Sequence, residues 1–209
     1  MKSFSEEEIQ SADKIFRLNL INSVSGYKSA NLIGTKGEHG ENLAIFSSVV
    51  HLGANPALLG FIMRPASVPR NTLTNMKETK SFTINSVSEE IIKKAHYTSA
   101  NFELGVSEFS ACKLTPEYLG DCHSPFVQES KLKMAMKLEQ IIDIELNDTM
   151  LVIGSIENIY VDEVAVTDNG QLDLNAIDTV AISGLNRYHK VEEIGNFPYA
   201  RVSELPIFE

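Results

Sequence analysis

Long hydrophobic runs are missing from this sequence. No stretch of its 209 residues approaches the roughly 18 uncharged apolar residues that a membrane-crossing helix needs, so a helical bilayer span is excluded. Positive charge is also scarce. Eighteen basic residues stand against 28 acidic ones, a formal charge of −10, and such a chain lacks the basic footprint that grips the phosphate backbone of nucleic acid. Cysteine is limited to Cys112 and Cys122, ten apart with His123 beside the second; this matches no common zinc spacing and is too few for a disulfide scaffold, so both are read as reduced and structural. His39 and His51 have no second ligand at metal spacing, and no metal site is predicted. The signatures GxGxxG and GxxxxGKS are absent, which disfavours Rossmann-type dinucleotide binding and P-loop chemistry. The opening MKSFSEEEIQ carries three glutamates where a secretory signal would carry an apolar core, and the expected compartment is the cytoplasm.

What is present is ordinary globular material, 43% apolar and 22% charged, in a chain long enough to bury about 70% of its unfolded surface. Ser5 and Glu8 have capping-box spacing, and Ile9, Ala12, Ile15 and Phe16 follow near a 3.6-residue period, which predicts a peripheral helix from 5 to about 18. From Ser29 the pattern changes to short β-branched and aromatic runs: SANLIGT, NLAIFSSVV, ALLGFIM and SFTINSV read as strands of one sheet. KGEHGE suits a hairpin between the first two. Leu73 and Met76 share a face of a helix between the third and fourth strands, and SEEIIKKA at 88 to 95 reads as another. Residues 96 to 125 carry few regular signals, and a loop of that length in a compact fold is usually functional. KLKMAMKLEQIIDIEL and TMLVIGSIENIYVDEVAV then predict a long antiparallel hairpin turning at Asn147-Asp148. The expectation is a mainly β protein with short helices, an antiparallel barrel in a single domain over 1–209, with residues from about 185 to 209 wrapping a surface or a neighbouring subunit.

Charge is unevenly distributed. Residues 43 to 80 hold Arg64, Arg70, Lys77 and Lys80 against Glu78, a net of +3 in a strongly acidic chain, so a small anion is attracted where a polyanion is repelled. Arg70-Asn71-Thr72 opens the predicted helix, whose first N–H groups have no intrahelical partner; arginine adds a bidentate fork, Thr72 a hydroxyl and Asn71 a donor or a cap. Ser47 and Ser48 interrupt an apolar strand and, with Val49, offer a polar edge to a flat ligand. His96, Thr98 and Ser99 sit in the long loop within reach of a phosphate or a ring edge. His96, Ser99 and Glu103 do not argue for a serine hydrolase, since no GxSxG elbow accompanies them.

Taken in order, NLAIFSSV at 42 to 49, RPASVPRNTLTN at 64 to 75 and HYTSANFELGVSEF at 96 to 109 resemble the flavin reductase-like, FMN-binding split-barrel family. LNLINSVSGYKSANLIGT at 18 to 35 resembles the start of its flavoredoxin-like branch. The resemblance implies a six-stranded antiparallel split barrel and a homodimer with one FMN per subunit where two barrels meet. It places Ser47, Ser48 and Val49 along the isoalloxazine, Arg64, Arg70, Asn71 and Thr72 at the phosphate, and Thr98, Ser99 and Ala100 at the closing loop. Asn75 also matches a family position and is read as structural. No catalytic acid, base or nucleophile is expected, because hydride or electron transfer is the flavin's own chemistry. The implied function is an FMN-dependent oxidoreductase passing electrons from NAD(P)H or a redox partner to an acceptor. The alternatives are a flavoredoxin-like electron-transfer protein without its own NAD(P)H site, or a non-redox split-barrel binding module. Two departures stand out. Asn71 replaces the common Asp, and Asn147-Asp148-Thr149 replaces the Gly-Asp-His turn of NAD(P)H-dependent relatives.

Overall fold

Ser5 caps the first helix as its spacing predicts: its hydroxyl accepts from the Glu8 N–H at 3.2 Å, and the Glu8 carboxylate accepts from the Ser5 N–H at 2.7 Å. The helix it starts is nevertheless short. A computed structural model, describing residues 1–64, 71–103 and 105–207, has α1 at Glu6–Ser11 and α2 at Lys14–Val24 in place of one helix from 5 to 18. Asp13 causes the break, because its carboxylate accepts from the N–H groups of Ile15 and Phe16 and caps a new helix. Neither helix buries a residue within this chain.

Seven strands form the main sheet: β1 Asn31–Gly37, β2 Gly40–Phe46, β3 Val50–Ala54, β4 Ala57–Met63, β5 Ser81–Ser86, β6 Leu132–Ile144 and β7 Thr149–Val161. All pairings are antiparallel, in the order β2-β1-β5-β6-β7-β4-β3. The expected six-stranded split barrel is therefore corrected in strand number: the main sheet has seven strands. The extra strand arises where NLAIFSSVV divides after Phe46. Ser48 makes the division: its hydroxyl accepts from the Ile62 N–H at 3.0 Å and donates to the Ile62 carbonyl at 3.3 Å, so a side chain stands in for backbone pairing beside β4.

This connection also dictates the sheet's shape. β2 and β3 lie at opposite edges yet are joined by residues 47–49 alone. Flat, a sheet of this width would hold its edges about 29 Å apart. The step from Phe46 to Val50 spans at most about 14 Å. The sheet must curl until its edges nearly meet, leaving a split between β2 and β3.

Strand alternation sends apolar side chains to both faces. Ile33 joins Phe61, Phe82, Ile84, Met136 and Val152 on one side, where α3 (Asn71–Thr79) adds buried Leu73 and Met76, the pair its spacing predicts. Leu32 and Leu43 point the other way, into a cluster with Val87, Ala95, Phe109 and Ile182. That cluster is covered by α4 (Ile92–Tyr97), α5 (Glu108–Cys112) and a small sheet of Lys28–Ser29, Val180–Ser183 and Arg187–Lys190. Asn75 is buried on α3 and donates to Thr35 Oγ1 of β1 at 3.2 Å, a structural role as expected. The hairpin of β1 and β2 turns between Gly37 and Gly40, and that of β6 and β7 between Ile144 and Thr149. The region from 96 to 125 contains α5 and the strand Pro116–Glu117, which pairs with Phe126–Val127. Beyond Val191 the described residues of the tail have one short turn, Val202–Glu204, and their apolar side chains face outward.

Candidate functional site

The split opens into a cleft of about 760 Å³. β2 supplies Asn42, Ala44 and Phe46 to its wall, the interrupted link supplies Ser47 and Ser48, and β4 ends at it with Ile62, Met63 and then Arg64. The first turn of α3 brings Asn71 and Thr72, and the segment after α4 brings Thr98, Ser99 and Ala100. Eight of the ten positions singled out in the sequence thus share one cavity. Val49 instead packs against the apolar cluster around Phe61. Arg70 lies outside the described residues, and the cap of α3 falls there too.

Hydrogen bonding separates the roles of these residues. Thr72 is buried, and its hydroxyl oxygen accepts from Asn42 Nδ2 at 2.8 Å, an acceptance that leaves the hydroxyl proton for another partner. Asn42 thereby locks the first turn of α3 onto β2. The opening N–H groups of that nine-residue helix have no intrahelical acceptor, and Arg64 lines the same cavity. This end of the cleft suits a small anion.

The loop hydroxyls behave differently. Thr98 Oγ1 donates to the Ala95 carbonyl and Ser99 Oγ to the His96 carbonyl, each at 2.7 Å. Both protons are spent closing the end of α4, so these side chains can offer a ligand oxygen lone pairs only. Ser48 is likewise committed to Ile62.

Several lining residues escaped the sequence reading. Glu108 of α5 accepts from the Leu43 N–H of edge strand β2 at 2.9 Å, and burial raises its pKa above the usual carboxylate value. At the other end stand Asn22, Lys28, Ile182, Leu185 and Asn186. Lys28 lies inside the quoted segment 18–35 and is its single cation, a signal that was available; Asn186 follows a four-residue strand with no pattern to mark it. Among the described residues, no three His, Cys, Asp or Glu side chains gather to hold a metal ion, and no helix is long and apolar enough to cross a membrane.

Comparison with known proteins agrees with the geometry. The family model described as flavin reductase like domain matches residues 28–173. A crystal structure from Shewanella frigidimarina NCIMB 400, assigned as a flavin reductase with a split-barrel domain, is 49% identical, with 96% of this chain and 100% of that one covered at a TM-score of 0.92. Flavoredoxin of Desulfovibrio vulgaris (Miyazaki F) shares the fold at 23% identity and a TM-score of 0.70, over 85% of this chain and 92% of that one. An uncharacterized protein of Aquifex aeolicus (strain VF5) is 28% identical over 130 residues, 61% of this chain; the match spans 65% of that relative's length, just under two thirds.

Proposed function

The chain belongs to the flavin reductase-like family, and on that premise we propose that it binds FMN in the split of its sheet and works as an oxidoreductase. The observation that carries this reading is the convergence of the Ser47-Ser48 link, the first turn of α3 and Arg64 on one cleft. Those residues fit the cofactor. The α3 turn, the Thr72 hydroxyl, whose proton has no acceptor among the described residues, and Arg64 suit a phosphate, while Ile45, Phe46 and Met63 give an apolar slot for a ring system edged by Ser47. Bound flavin supplies the redox chemistry. The protein binds and orients: Thr72 donates to the phosphate, Asn42 holds Thr72 in place, and Phe46 and Met63 exclude water from the ring.

Electrons come from NAD(P)H or a redox protein and leave to an acceptor. The second of these donors draws support from the turn Asn147-Asp148-Thr149, where Asn147 Oδ1 accepts from the Thr149 N–H and hydroxyl, so the turn is closed on itself without a histidine. It lies beside the Met63–Met150 pair, at the strand end that leads to Arg64. Stopped-flow mixing of the FMN-loaded protein with NADH or NADPH separates the two. Bleaching of the flavin with either supports a pyridine-nucleotide donor; no bleaching with both, alongside reduction by dithionite, leaves the electron-transfer reading. We also propose a homodimer, supported by the apolar residues that α2 and the tail leave exposed, Ile15, Val24, Ile194 and Phe197 among them.

A further inference from the structure

The cleft extends well beyond its phosphate end. Asn42 meets α3, and β2 takes four residues, about 13 Å, to reach Phe46, whose partner Asn31 lies three residues past Lys28. There the small sheet sets its register: Lys28 opposite Ile182, and Ile182 opposite Tyr188. Residues paired in this way project from one face, so the three side chains form a row about 10 Å long. Lys28 and Ile182 line the cleft, and so does His96, whose Nδ1 lies 3.0 Å from Tyr188 Oη.

Each end of the row presents a polar group. The Lys28 ammonium donates to the Asn22 carbonyl at 2.7 Å and Ser25 Oγ at 2.9 Å, which fixes its position and leaves one N–H. Tyr188 is half-buried, and burial pushes its pKa up to about 12, so the phenol keeps its proton. His96 Nδ1 is its partner among the described residues; with the phenol as donor to Nδ1, the ring proton sits on Nε2. Nε2 has no partner among the described residues. A cation, an apolar floor and an imidazole nitrogen thus stand in line.

We propose that this end of the cleft is a second subsite for an organic monoanion of aromatic size. Its carboxylate meets Lys28, its ring covers Ile182, and an oxygen at its far side accepts from His96 Nε2. A phosphate dianion suits it poorly, because Lys28 sits among the last carbonyls of α2, where the helix dipole is negative. That the bound molecule exchanges electrons with flavin rests on the function proposed above; that it binds does not.

The test is calorimetric titration of benzoate, benzamide and 4-acetylbenzoate into the full chain, with and without FMN. Benzoate should bind at least about tenfold more tightly than benzamide, and Lys28→Gln should remove that preference while Lys28→Arg keeps it. The 4-acetyl group should add affinity that His96→Phe abolishes. Equal binding of benzoate and benzamide by the wild-type chain would overturn the subsite, as would a Lys28→Gln variant that weakens FMN and leaves benzoate unchanged. A chain that takes up no FMN would sink the functional reading alone, since the flavin-free titration still reads the subsite.

Discussion

Hydroxyl groups in this cleft differ by where their protons go. Ser48, Thr98 and Ser99 spend theirs on neighbouring carbonyls, whereas Thr72 is held through its oxygen and its proton meets no acceptor among the described residues. Residue type alone could not separate these cases, because each depends on which carbonyl the fold brings within about 3 Å. Glu108 is a residue with a measurable signature. Its pKa is raised by burial from 4.5, against the opposing hydrogen bond from Leu43. In the window above 4.5 the folded state therefore holds a proton that the unfolded state has released, and stability falls as pH rises through it. Glu108→Gln keeps an acceptor for the Leu43 N–H and does not titrate. Urea denaturation at pH 4 and pH 8 should show the wild type losing ground to Glu108→Gln as pH rises; a constant gap, or one that moves toward the wild type, would contradict the assignment.

Among the elements, those with strong local signals were legible. The long hairpin of β6 and β7 and the turn Gly37–Gly40 follow from alternation and turn residues, and α3 follows from Leu73 and Met76. Three features were not. Asp13 reads as an ordinary acidic residue inside an amphipathic pattern until its carboxylate is seen to cap Ile15 and Phe16. The division at Ser48 depends on Ile62, fourteen residues away, and created the seventh strand. Val180–Ser183 and Arg187–Lys190 are four-residue strands, too short for alternation to declare itself, yet they build the Lys28 end of the cleft. The site was therefore legible where its residues fall in contiguous motifs, and hidden where distant strands supply it. Arg64 and Ser47 were found for the first reason, and Ile182 and Asn186 were missed for the second.

At the scale of the whole molecule, exposed apolar surface and a locally positive cleft set the expectations. Val24 of α2 is 69% exposed, and Ile194 and Phe197 of the tail are 99% and 87%, more than segments packed on their own chain would leave in water. Light scattering should give twice the 23.1 kDa chain mass, falling to one chain when residues after Val191 are removed; a wild-type monomer would contradict the homodimer. The proposed FMN site would hold the cofactor by its phosphate at the start of α3. Its most direct test is fluorescence-quenching titration of the purified protein with FMN and with riboflavin, which differ by that phosphate alone. FMN should bind roughly ten- to a hundredfold more tightly, and Thr72→Val should shrink that ratio while leaving riboflavin affinity in place. Equal affinity of the wild-type protein for the two flavins would contradict the account.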